Sequence, residues 1–158
     1  MLRAVVAVAL AAALLGTTLP AVETAQRERT ETQFAGEVDR LTTAIADLRA
    51  REQAVAARGA RRVVTIHVPQ RDWDHAGVDY ITLGGAPCTG PTAREGAAIA
   101  WRVIGAPERR RRIPGVPVEA VTTPSGRPLV VREAGTHRIV LSLVMRGGER
   151  RVLVRRVG

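Results

Sequence analysis

The rhythm of apolar and polar positions changes twice along the chain. From Ala4 to Val22 there is no alternation: AVVAVALAAALLGTTLPAV runs 19 residues without a charge, directly after Arg3. As a helix rising about 1.5 Å per residue, this run reaches roughly 28 Å, close to the hydrocarbon thickness of a bilayer. From Glu23 to Arg58 apolar residues return at helical spacing. Phe34, Val38, Leu41, Ile45, Leu48 and Val55 form one stripe on an otherwise charged helix, with one seam position skipped at Glu52. Glu23–Arg27 and Asp47–Arg51 are acid-before-base pairs four apart, which add helix support. Pro20 predicts at most a kink between the two patterns, so they are expected to form one long rod. Fewer than three heptads precede Gly59, and this favours packing on the chain's own sheet over a coiled-coil seam.

Gly59 closes the helical pattern, and from Arg61 the period becomes two. Arg61–Val68 sets Val64, Ile66 and Val68 on one face; Val78–Leu83 and Ala97–Ile104 follow as strands. Val116–Val121 and Leu129–Arg132 are short and flanked by prolines, which marks them as edge or irregular strands. Thr136–Met145 and Arg150–Val157 alternate on either side of Arg146-Gly147-Gly148-Glu149, a hairpin signal. The expected fold is α+β: a long N-terminal helix, apolar then amphipathic, packed on a small, mostly antiparallel β-sheet of about six strands. The expected division is a transmembrane or signal segment at 1–22, an amphipathic helix at 23–58 and a β-sheet domain at 59–158.

Charge adds a direction. Residues 23–40 hold five acids and three arginines, so the basic flank of the apolar run is its N-terminal side. That predicts a single-pass protein of the cell membrane, with the N-terminus inside and the sheet domain outside. The lipid bilayer, met through residues 4–22, is the first expected partner. A cleaved secretory signal remains open, with cutting after Ala25 in Val22-Glu23-Thr24-Ala25.

The net charge of +9 lies wholly in the C-terminal part: residues 101–158 carry 13 arginines and 4 acids. With aromatics at 3%, few rings are present to stack bases, so no nucleic acid is expected as a partner and a solvated sheet face is favoured. Arg109, Arg110, Arg111 and Arg112 are the sharpest electrostatic feature. They form either a solvated loop, which is favoured, or a docking spot for an acidic partner.

The candidates for chemistry are sparse. Asp72-Trp73-Asp74-His75, with Asp79 beyond it, could hold a metal or perform acid–base work. Neighbours on one short loop rarely converge on one centre, so a surface turn with Trp73 tucked onto the sheet is expected instead. His67 falls on the outward phase of the first strand; His137 shares the phase of Ile139, Leu141 and Leu143. Ser125 and Ser142 are the only serines, one in a turn and one mid-strand, which leaves no nucleophile with a partnered base. The Gly84–Gly90 stretch lacks phosphate-loop spacing. Cys88 is the only cysteine, so neither an internal disulfide nor a thiolate cluster can form. No catalytic, cofactor-binding or metal-binding residue is assigned, and a non-enzyme is expected.

An apolar helix continuing into an amphipathic helix and then a small antiparallel sheet resembles the type IV pilins and type II secretion pseudopilins. Pro20 near the end of the run is similar to the proline that pilins often carry there. The resemblance implies an anchor that also packs in a filament core, with other pilin-like or secretion-apparatus subunits as partners. Two positions differ from that family: Arg3-Ala4 stands where a prepilin peptidase glycine would precede the run, and Val8 stands near the place of an early glutamate. Arg62-Val63-Val64-Thr65 with Pro69, Trp73, Ala76-Gly77-Val78-Asp79, Trp101-Arg102-Val103, Pro114-Gly115-Val116 and the terminal hairpin also resemble an uncharacterised haloarchaeal family of this layout. That resemblance implies a pilus-like accessory role beside secretion ATPases and no assigned activity.

Overall fold

In the computed structural model a single helix, α1 (Leu2–Arg51), passes through Pro20 without a break. The structure describes residues 2–51, 59–85, 99–116, 121–125 and 127–157, with side chains at all of these except 2 and 15–18. Glu52, Val55, Cys88, Ala97 and residues 117–120 lie outside the described residues. Proline offers no N–H to the ladder, yet the helix continues through it. Four threonines fold their hydroxyls back onto carbonyls one turn earlier: Thr24 to Pro20, Thr30 to Gln26, Thr32 to Glu28 and Thr42 to Val38, at 2.8–2.9 Å.

Among the described residues eight strands follow: β1 (Arg61–Val68), β2 (Val78–Leu83), β3 (Ile99–Val103), β4 (Arg109–Arg111), β5 (Val121–Thr122), β6 (Leu129–Val131), β7 (Gly135–Arg146) and β8 (Glu149–Val157). They divide into two four-stranded sheets, ordered β1-β7-β8-β5 and β4-β3-β2-β6. Every pairing is antiparallel except β5 with β8. The α+β reading therefore holds. The single sheet of about six strands becomes two sheets of four, because alternation reveals strands but not which strands share hydrogen bonds.

The hairpin β7–β8 is the longest ladder, running from Arg138↔Val157 to Arg146↔Glu149. Its two-residue turn needs positive φ at both central positions, and Gly147 and Gly148 supply φ of 60° and 79°. On the inner face β7 buries Ile139, Leu141 and Leu143, β8 buries Val152 and Val154, and β1 buries Ile66 and Val68. The helix covers this face and also reaches β3 of the second sheet, so one apolar cluster joins all three layers. Phe34, Val38, Leu41 and Ile45 are fully buried, as the stripe predicts. Gly59 brings the chain back against β7. A methyl group there would lie 1.5 Å from the Leu143 carbonyl oxygen. The Leu143 amide meanwhile donates to the Ala60 carbonyl at 2.9 Å. Only a residue without a Cβ fits so close a backbone approach.

Candidate functional site: an uncovered helix half and the loop at its border

The helix has two halves with opposite surroundings. Every described side chain from Arg3 to Ala25 is exposed. Val5, Val8, Leu10, Leu14, Leu19 and Val22 lie open although they are large and apolar. The apolar stretch long enough to cross a membrane has none of its described side chains buried. Burial begins at Gln26 and Arg27, and Thr30 is the first fully buried side chain. Among the described residues there is thus one helix long and apolar enough to cross a membrane, and its apolar part is left exposed.

The border between the halves is occupied by the loop from Arg71 to Gly77. Its shape follows from Asp72, whose Oδ1 accepts from the backbone N–H of Asp74 at 2.8 Å and of His75 at 2.7 Å. The bond from Asp74, reinforced by those from His75, outweighs the loss of water around the carboxyl and holds Asp72 below its ordinary range. The Asp72 amide donates to the His75 carbonyl at 3.0 Å and closes the turn. The loop then docks on α1 through four polar contacts. Gln26 Nε2 donates to the Trp73 carbonyl, Arg29 pairs with Asp74, and His75 Nε2 lies 3.0 Å from Gln33 Oε1. The buried Thr30 hydroxyl accepts from the Ala76 amide at 3.0 Å while donating to Gln26.

This arrangement corrects two sequence expectations. Trp73 is not tucked onto the sheet. It is 85% exposed, because the loop docks by its backbone and its polar side chains and leaves the indole outside. The Arg109–Arg112 run is not a solvated loop either. Arg109–Arg111 form β4, an edge strand paired with β3. Arg109 meets Glu31 at 3.0 Å, Arg111 meets Asp39, and Arg110 meets Glu108 at 2.6 Å. Two of these acids lie on α1, so the edge strand faces the polar flank of the helix. Charged side chains on an edge also discourage pairing with a foreign strand.

A second polar cluster joins β2, β3 and β4. A register shift between Val78 and Tyr80 sets Asp79 and Tyr80 beside Arg102. Arg102 bonds Asp79 and lies 5.1 Å from the Tyr80 ring centre, while Arg132 lies 5.5 Å from the same centre. The Tyr80 hydroxyl donates to Glu108. Burial raises the Glu108 carboxyl, but bonds from Tyr80 and Arg110 outweigh it and leave it below its ordinary range. These groups satisfy one another across the strands.

The remaining candidates fall apart in space or into structural work. His137 is buried, and its Nε2–H donates to the Glu133 carbonyl oxygen at 2.7 Å. His67 is exposed, with Nδ1 3.4 Å from Thr136 Oγ1. Ser125 lies in a turn, 3.0 Å from Thr123 Oγ1. Among the described residues no three His, Cys, Asp or Glu side chains come together in a metal-holding group. Sequence reasoning missed Gln26, Thr30 and Gln33. Thr30 carried a usable signal, since it stands four residues before Phe34 on the same stripe.

No curated protein and no solved structure matches the chain. A family profile matches residues 1–157, nearly the whole length, and the chain accordingly belongs to that family, a domain of unknown function (DUF7311).

Proposed function

We propose that the protein is a membrane-anchored, non-enzymatic structural subunit of pilin-like or secretion-associated type, held in the cell membrane by residues 4–22. One observation carries the reading: a continuous helix is apolar and bare along its first half, then serves as the spine of a folded domain along its second. An unpaired apolar helix face of this length has no favourable place in water. The early Arg3 and the acid-rich stretch after Val22 support an N-terminus inside and a sheet domain outside. The assembly half of the proposal rests on the resemblance to pilins and to the haloarchaeal family of the same layout. Other subunits of such an apparatus, and an acidic partner along β4, belong to it as proposed partners.

Flotation of the full chain with membranes tests the anchor. Leu14→Arg should release it, and a membrane-bound Leu14→Arg variant would count heavily against the anchor. A photo-reactive residue at Val8 tests assembly: cross-links to protein support a subunit, whereas cross-links to lipid alone contradict one.

A second reading has its own observation. Burial starts at Gln26, directly after the candidate cleavage point at Ala25. Cutting there would keep every buried described side chain of α1 in the chain, giving a secreted β-rich binding module. The two readings part on whether residues 4–22 survive in the mature chain.

A further inference from the structure

We propose that Trp73 is a second membrane contact, an indole set into the lipid headgroup layer beside α1 that fixes how the sheet domain lies on the bilayer. The inference rests on the reading of residues 4–22 as a retained membrane segment.

Trp73 is the most exposed large apolar side chain among the described residues, at 85%. Its exposure does not come from a loose loop. Asp72 closes the turn from within, and Gln26, Arg29, Thr30 and Gln33 hold it against the helix. A pinned loop that presents an indole to water forgoes the gain of burying a large ring. That gain is recovered if the ring meets an apolar medium when the chain is in place.

The height of the loop identifies the medium. Gln26, which holds the Trp73 carbonyl, stands four residues beyond Val22, or about 6 Å along the helix axis. The headgroup layer on each side of the hydrocarbon core is about 5–7 Å thick. Trp73 therefore sits at the level of that layer, where the amphipathic indole is favoured. A second turn ends at the same level. The Ile104 amide donates to Gly77 at 3.1 Å, and Gly105 lies beside Arg27, with a Cβ position 3.3 Å from its Nε. Ile104 is also exposed. Charges around the loop are mixed, with Arg27, Arg29 and Arg71 beside Glu23, Glu28, Asp72 and Asp74. A zwitterionic phospholipid surface is thus the occupant, and no excess of anionic lipid is required.

The test uses the full chain in phosphatidylcholine vesicles that carry bromine on acyl carbons near the headgroup. The chain has two tryptophans, and Trp101 is buried at 6% exposure, so it serves as the internal reference. Bromolipid should quench part of the emission, acrylamide should reach that part poorly, and Trp73→Phe should abolish the quenched component. At so exposed a position Trp73→Phe leaves the fold intact. A chain that floats with the vesicles but shows no Trp73 quenching by lipid, with full quenching by acrylamide, overturns this inference and leaves the anchor standing. A chain that does not float overturns the anchor and this inference together.

Discussion

The two halves of α1 share one backbone and differ in what surrounds them. From Arg3 to Ala25 every described side chain is exposed, valine, leucine and alanine foremost, whereas residues 26–51 carry one apolar stripe and bury it. A helix apolar all round needs an apolar environment; a helix with one apolar face needs only a partner surface. The sheets supply the second and leave the first unmet. On the proposed membrane reading, folding and placement are written into different stretches of one helix, and the boundary falls at the loop that carries Trp73.

This contrast can be broken from either side. The largest effect is expected in the buried half: Phe34→Ala, at a fully enclosed position, should cost about 3–5 kcal/mol in thermal or denaturant unfolding while leaving membrane flotation in place. Leu14→Arg should do the reverse. An arginine at the helix centre costs about 2.5–3.5 kcal/mol of insertion, so the membrane-bound fraction should collapse while the sheet domain keeps its unfolding midpoint. Thr30→Val probes the boundary. It leaves the buried Ala76 amide without its acceptor, for about 1–3 kcal/mol, and amide exchange in Arg71–Gly77 should rise before that of the core strands. Arg111→Ala removes a surface ion pair to Asp39 and should cost only about 0.2–1 kcal/mol, less at high salt.

The smallest effect is a pH response of the loop. Asp72 sits below its ordinary value of 3.8 in the folded chain, so its contribution is present above that value and fades as pH falls through the lowered one. The Asp74 and His75 amide resonances should shift in that acidic window, and Asp72→Asn should remove that shift.

Much of the fold was legible because it depends on local periodicity. The stripe from Phe34 to Leu48 and the Gly-Gly hairpin each declare themselves within a few residues. The division into two sheets was not legible, since pairs such as Val121↔Val152 and Ile81↔Val131 are fixed by distant parts of the chain. β4 hid because three consecutive arginines show no alternation; its strand character comes from pairing with β3 and from acids on α1. The exposed Trp73 hid for a related reason. Aromatic residues are read as packing groups, and only the docking of the loop backbone on Gln26 and Thr30 leaves the ring outside. The uncovered helix half, by contrast, was plain from composition alone.

On the proposed function, residues 4–22 persist as part of the working protein. The most direct measurement is the intact mass of the protein purified from both the membrane and the soluble fractions of cells expressing the full chain. A mass that includes residues 4–22 is predicted. A mature chain beginning at Gln26, found in the soluble fraction with its sheets folded, would contradict the anchor and leave a secreted domain in its place.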